Sequence, residues 1–202
     1  MPLAPSDPAL LRLVLAGGPA APRRAWLEHR RACPPALRTR MDGVDAATLT
    51  RTLAWLDQPG HHLLGLDDPR YPALLRQIAD PPLALFVDGE PEALWRPAVA
   101  VVGSRNASAG GCDNARRFAA ALGRAGLAVA CGLAGGLDAA AHEATLATPG
   151  ALTLAVLGTG PDVAYPRPHA ALRDRIAATG AVVSEHPPGT PASQAHFPGR
   201  NR

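Results

Sequence analysis

The chain has 202 residues, enough for one domain of ordinary size, a smaller companion and a buried core. Hydrophobic residues make up 47% and charged residues 18%, which excludes an intrinsically disordered chain. The formal net charge of +3 is only mildly basic, so charge alone assigns no nucleic-acid partner.

The make-up of that charge says more: all 20 basic residues are Arg and none is Lys. The planar guanidinium grips phosphate bidentately and stacks on bases. The same usage, beside abundant Ala and Pro, also fits a GC-rich genome. Cys33, Cys112 and Cys131 show neither metal nor disulfide spacing, which fits a reducing cytosol. Met1 is followed by Pro, Asp and Arg with no long apolar run. The expectation is therefore a cytoplasmic chain with no signal peptide, no spanning helix and no membrane partner.

Residues 1–60 read as a small helical domain. Leu10 to Leu15 form one apolar turn, and Arg23 to Leu27 open a second helix that must end before Pro34-Pro35. Thr48 to Leu56 give a third, with Leu49, Leu53 and Leu56 spaced for one face. So small a piece is expected to lean on the rest of the chain for stability. From His61 to Arg202 a second domain is expected. Tyr71 to Ile78 form a short helix stopped by Pro81-Pro82, and Leu83 to Val87 a strand ending in the Asp88-Gly89 turn.

Beyond that turn the pattern becomes a regular alternation. Apolar runs at Ala98–Val102, Leu127–Ala130, Leu152–Leu157 and Ala181–Val183 read as strands. Helical spacing fills Ser108–Ala125 (through Ala115, Phe118, Ala119 and Leu122), Leu137–Leu146 and His169–Ala178. Apolar strands alternating with helices predict an α/β fold with a parallel sheet covered on both faces. Ligands of such sheets bind at the carboxyl ends of the strands.

Four loops fall there. Gly103-Ser104-Arg105 runs to a helix start at Ser108, which suits either an anion site or a plain tight turn. Cys131 to Asp138 carries Gly132, Leu133, Ala134, Gly135 and Gly136, a run that suits close approach of a backbone ligand. Asp138 complements the helix dipole, and His142 lies four residues on, for an orienting hydrogen bond or a catalytic pair. Gly158, Thr159 and Gly160 make a further turn, with Tyr165 and Arg167 shortly after it. Phe197 with Arg200, Asn201 and Arg202 pairs an aromatic with charge, either to stack bases and hold phosphates or as a core Phe with solvated arginines. There is no G-x-G-x-x-G and no G-x-x-x-x-G-K-[ST], and no cofactor or metal is expected. Together the loops predict a glycine-floored groove that tracks phosphates.

The ordered strings AVVGSR, GLAGGLDAAAH, AVLGTGPDVAYP, SEHPPGTP and FPGRNR, preceded by LLGLDDPRYPALLRQIADPPLALFVDG, resemble the DNA-processing protein A family (DprA, also called Smf). The resemblance runs from about Leu10 to Arg202 and is strongest from His61. It implies a Rossmann-like domain preceded by a small all-helical SAM-like domain. It also implies binding and protection of single-stranded DNA in natural transformation, loading of the RecA recombinase, homodimers and no catalysis. The family's phosphate-gripping Arg falls on Arg105, its basic residue after Tyr-Pro on Arg167, and its closing arginine motif on Arg200 and Arg202.

Departures are visible: Ala107-Ser108 replaces Pro-Thr, although Ser108 can still cap the helix. Cys131 replaces Ser, and Gly135 and Gly199 replace larger polar residues. Family members run on past the position of Arg202 with a further strand and helix and often a winged helix. A shortened domain lacking a sheet edge is therefore expected, with dimerisation and RecA loading in question. The competing reading is a nucleotide-processing enzyme like the lysine-decarboxylase-like phosphoribohydrolases. Their Pro-Gly-Gly-x-Gly-Thr string is absent, and Glu143, Glu185, Asp138 and Asp162 are the carboxylates near the loops.

Overall fold

The structure, a computed structural model, describes residues 8–29 and 32–201. The chain folds as two compact units, residues 1–86 and 87–202.

In the first unit four helices come first: α1 (Pro8–Leu15), α2 (Ala20–His29), α3 (Pro35–Asp42) and α4 (Ala46–Leu56). Leu10, Leu11 and Leu13 of α1 are buried, with Leu27 of α2 and Leu37 and Met41 of α3. The Pro34-Pro35 pair, expected from the sequence only to stop a helix, stands at the head of one. Pro35 is in the first turn of α3, where a missing N–H costs nothing. Asp45 caps α4 by accepting the Thr48 N–H at 2.8 Å. Next come β1 (His61–Gly65), α5 (Ala73–Arg76) and the start of β2 (Ala84–Gly89). β1 carries no alternation because Leu63 and Leu64 are both buried. Trp55 stacks on His61 with centroids 3.9 Å apart and meets Phe86 edge-on.

The second unit carries the expected alternation: β3 (Ala98–Ala100), α6 (Ala109–Arg124), β4 (Ala128–Cys131), α7 (Leu137–Leu146), β5 (Thr153–Leu157), α8 (Ala170–Thr179), β6 (Ala181–Ser184) and the short α9 (His196–Arg200). Strands β3 to β6 are parallel neighbours in chain order, with Val99 beside Val129, Ala130 beside Leu154 and Ala155 beside Val182. Helix α7 packs against both α6 and α8. Burial is complete at Leu133, Ala155, Ile176 and Val182 in one cluster, and at Ala119, Val129 and Ala141 in another. No helix among the described residues is long and apolar enough to cross a membrane.

Two details depart from expectation. β3 is exposed along its length, Val102 beyond it is 74% exposed, and Phe118 is 67% exposed instead of facing inward. Helix α6 turns Ala115, Ala119 and Gly123 toward the core. That i, i+4, i+8 stripe leaves Phe118 about 100° away from it.

Candidate nucleic-acid interface

Because β3 to β6 run parallel, the loops after their carboxyl ends emerge at one edge of the second unit. Gly103, Ser104 and Arg105 are exposed in the first. Ser104 Oγ accepts the Asn106 N–H at 3.1 Å, and Ser108 Oγ caps α6 by accepting the Gly111 N–H at 3.1 Å. Gly103 is pressed against Leu137, and Gly136, at φ +74°, against the Ser104 and Arg105 carbonyls. A side chain at either position would collide, so these glycines serve contact between the first two loops.

The second loop is satisfied from within. Asp138, nearly fully buried, accepts the Gly132 N–H at 3.0 Å and the Ala134 N–H at 3.3 Å through one oxygen. Leu133 is fully buried at φ +58°, a conformation uncommon outside glycine, and its carbonyl accepts from His169 Nδ1 at 2.9 Å. Arg200, half-buried, donates from Nη1 to the Gly132 carbonyl at 3.0 Å and to the Val156 carbonyl. Its Nε donates to Asn201 Oδ1 at 2.7 Å. Burial lowers the Arg200 pKa, and the Asp138 charge opposes that shift.

In the third loop Gly158, Thr159 and Gly160 are buried. Thr159 Oγ1 donates to the Val163 carbonyl at 2.6 Å, and the Thr159 carbonyl accepts from Ser184 Oγ at 2.5 Å. The fourth loop is tied to it through Asp162, which accepts the Gly189 N–H at 2.8 Å. Tyr165 is 43% exposed, and Arg167 is exposed at the start of a 3-10 turn (Arg167–His169).

Helix α9 lies against these loops. The Phe197 ring rests on Gly158, where an added Cβ would stand 2.9 Å from it. His196 Nδ1 donates to the Gly158 carbonyl at 3.0 Å and its ring stacks on His186. Tyr165 leans on Phe197 at 5.6 Å between centroids, and the Arg105 guanidinium stands 5.3 Å over the same ring.

The structure thus gathers Arg105, Tyr165, Phe197, Arg200 and Asn201, with Gly132 and Gly158 beneath. Leu133, Thr159 and Gly160 are buried and Ala134 is half-buried; Arg167 is exposed and shares none of the cluster's ring or hydrogen-bond contacts, and Arg202 lies outside the described residues. Asp138 and His142 form no pair with each other. Asp138 is held by loop amides, and His142 Nδ1 meets Thr153 Oγ1 at 2.7 Å in the interior. Glu143 pairs with Arg175 at 2.8 Å. Burial, then the charge of Asp138, push the Cys131 thiol up to about 12, which keeps it protonated at neutral pH. Sequence reasoning missed His169, His186 and His196, because a lone His beside Pro or Ala carries no local pattern.

These features define a class: a Rossmann-like α/β domain whose strand-end edge carries arginine and clustered aromatics in place of a dinucleotide fingerprint. The chain belongs to the family of DNA recombination-mediator protein A, whose sequence model matches residues 62–202. It is 42% identical over 156 residues to protein Smf of Escherichia coli, covering 77% of this chain and 41% of that one. It is 43% identical over 135 residues to DNA processing protein DprA of Streptococcus pneumoniae, covering 67% and 47%. The chain therefore spans under half the length of these relatives. The X-ray structure of DNA processing protein A from Streptococcus pneumoniae superposes with a TM-score of 0.82 at 32% identity, over 100% of this chain and 74% of that one. A structure from Helicobacter pylori, concerned with the single-stranded DNA binding mode of its DNA processing protein A, matches with a TM-score of 0.59 at 27% identity, over 64% and 59%.

Proposed function

We propose that this chain binds single-stranded DNA along the strand-end edge of its second unit and catalyses no reaction there. The observation that carries the reading is the cluster of exposed Arg105 and Tyr165 around the half-buried Phe197 ring. Arg105, Arg167 and Arg202 hold phosphates, while Phe197 and Tyr165 offer faces to bases without regard to sequence. Gly103 and Ser104 set the loop from which Arg105 projects. Gly132, Leu133, Ala134, Gly158, Thr159 and Gly160 form the floor beneath. The Helicobacter pylori relative, described by its single-stranded DNA binding mode, supports the choice of ligand.

In the cell this activity serves DNA uptake in natural transformation: the protein coats incoming strands in the cytoplasm and helps load the RecA recombinase as a homodimer. The helices of residues 1–60 act as a SAM-like module. The test is fluorescence anisotropy with a labelled oligo-dT over a salt series. Arg105→Ala is expected to weaken binding and to flatten the log–log salt dependence by about 0.7, the share of one phosphate on a single strand. An unchanged affinity and slope in a folded variant would remove Arg105 from the interface.

A further inference from the structure

Helix α9 reads His196-Phe197-Pro198-Gly199-Arg200, five residues that include Pro and Gly. So short a helix cannot hold its own shape, so its position depends on what it docks against. Phe197 and Arg200 stand three apart and project from one face. Each lands on a glycine: the ring on Gly158, and the guanidinium on Gly132, where an added Cβ would overlap it. A single nitrogen of Arg200, Nη1, donates to two carbonyls at the ends of β4 and β5, Gly132 and Val156, while Nε is braced by Asn201. Asp138, which holds the Gly132 amide, supplies the opposing charge. Arg105, by contrast, is exposed.

Resting on the single-strand reading above, we infer that Arg200 is a positioning residue. It docks α9 on the ends of β4 and β5 so that Phe197 stands beneath Arg105 as a stacking platform, and it holds no phosphate itself. The guanidinium is needed because Nη1 and Nε donate at once in different directions, whereas a lysine ammonium is a single point charge on a flexible stem. Gly132 belongs to the same device, since its missing side chain is the space that the guanidinium fills.

The experiment compares the full chain with R200Q, R200K and G132A, alone and combined with F197A. Oligo-dT anisotropy is measured over a salt series, and hydrogen exchange is followed by mass spectrometry over residues 195–201. Each single variant is expected to bind on the order of tenfold more weakly, the worth of one stacked base, with an unchanged salt slope. None should weaken binding further in the F197A background, and each should speed exchange in 195–201. G132A is informative because it keeps the arginine and displaces only its far end. A slope lowered by about 0.7 in R200Q, with affinity restored in R200K, would make Arg200 a phosphate contact and overturn the inference. Unchanged exchange in both R200Q and G132A would overturn it as well. If the unaltered chain fails to bind oligo-dT, the single-strand reading falls. The exchange data then still decide the docking: faster exchange supports it and unchanged exchange refutes it.

Discussion

The Arg105 guanidinium stands 5.3 Å over the ring of Phe197, although the two residues belong to opposite ends of the second unit's sequence. The pair combines the two ingredients of sequence-tolerant strand binding, a charge for phosphate and a π-face for a base. The two contributions separate by their salt dependence. Phe197→Ala is expected to cost about 1–3 kcal/mol of binding with the salt slope intact. Arg105→Lys should keep the slope and lose part of the affinity, since the charge stays and the fork goes. Anisotropy titrations from low to moderate salt check both.

Asp138 organises the floor under that pair. One of its oxygens accepts two backbone N–H groups of the loop, those of Gly132 and Ala134. Asp138→Ala leaves both donors unpaired in a half-buried turn, so a loss of stability on the order of 1 kcal/mol or more is expected by urea denaturation. Asp138→Asn keeps an acceptor oxygen and should lose less. Equal losses in the two variants would contradict the role assigned to these hydrogen bonds.

A second buried group makes the fold acid-sensitive. Thr153 donates its only hydroxyl proton to the Val129 carbonyl, so His142 must donate to it from Nδ1–H. Nε2 then keeps a lone pair in the interior with no hydrogen-bond partner among the described residues. Burial, helped by the charge of His169, lowers the His142 pKa from 6.5 to about 4. Between those values the unfolded chain binds the proton and the folded chain resists it. Stability from this group is thus complete above pH 6.5 and is lost as pH falls toward 4, at up to ~1.4 kcal/mol per pH unit. Denaturation midpoints across that window should fall in the natural chain and fall less in His142→Leu.

Thiol chemistry offers a simple check on the core. Cys33 and Cys112 are partly exposed, while Cys131 is buried with its thiol pKa raised to about 12. An aromatic disulfide reagent at about pH 8 is expected to modify Cys33 and Cys112 in the native protein and Cys131 only after unfolding. Peptide mapping of the labelled chain distinguishes them.

Much of the second unit is legible in the residues. Strands β3 to β6 and helices α6 to α8 lie close to the limits their patterns predict, because each apolar run is continuous and each ends at Gly or a cap. The Ser108 cap is legible for the same local reason. Three elements are not. α3 begins at a proline pair that reads as a stop, β1 is too short to show a period, and α9 contains Pro198 and Gly199, which read as loop. Phe118 matches the helical spacing yet faces outward, because periodicity gives a face and not what covers it.

The same division holds for the candidate site. By itself the sequence determined the parallel α/β order, the four strand-end loops and Arg105 in the first of them, since these arise from local patterns and one connectivity rule. What the glycines accommodate was decided only by the tertiary structure. Gly132 receives Arg200 from 68 residues away and Gly158 receives Phe197, while Asp138 occupies amides that looked open to an anion. Contacts between distant segments leave no periodic trace in the chain, and a glycine looks the same whether a ligand or the protein's own side chain fills the space above it.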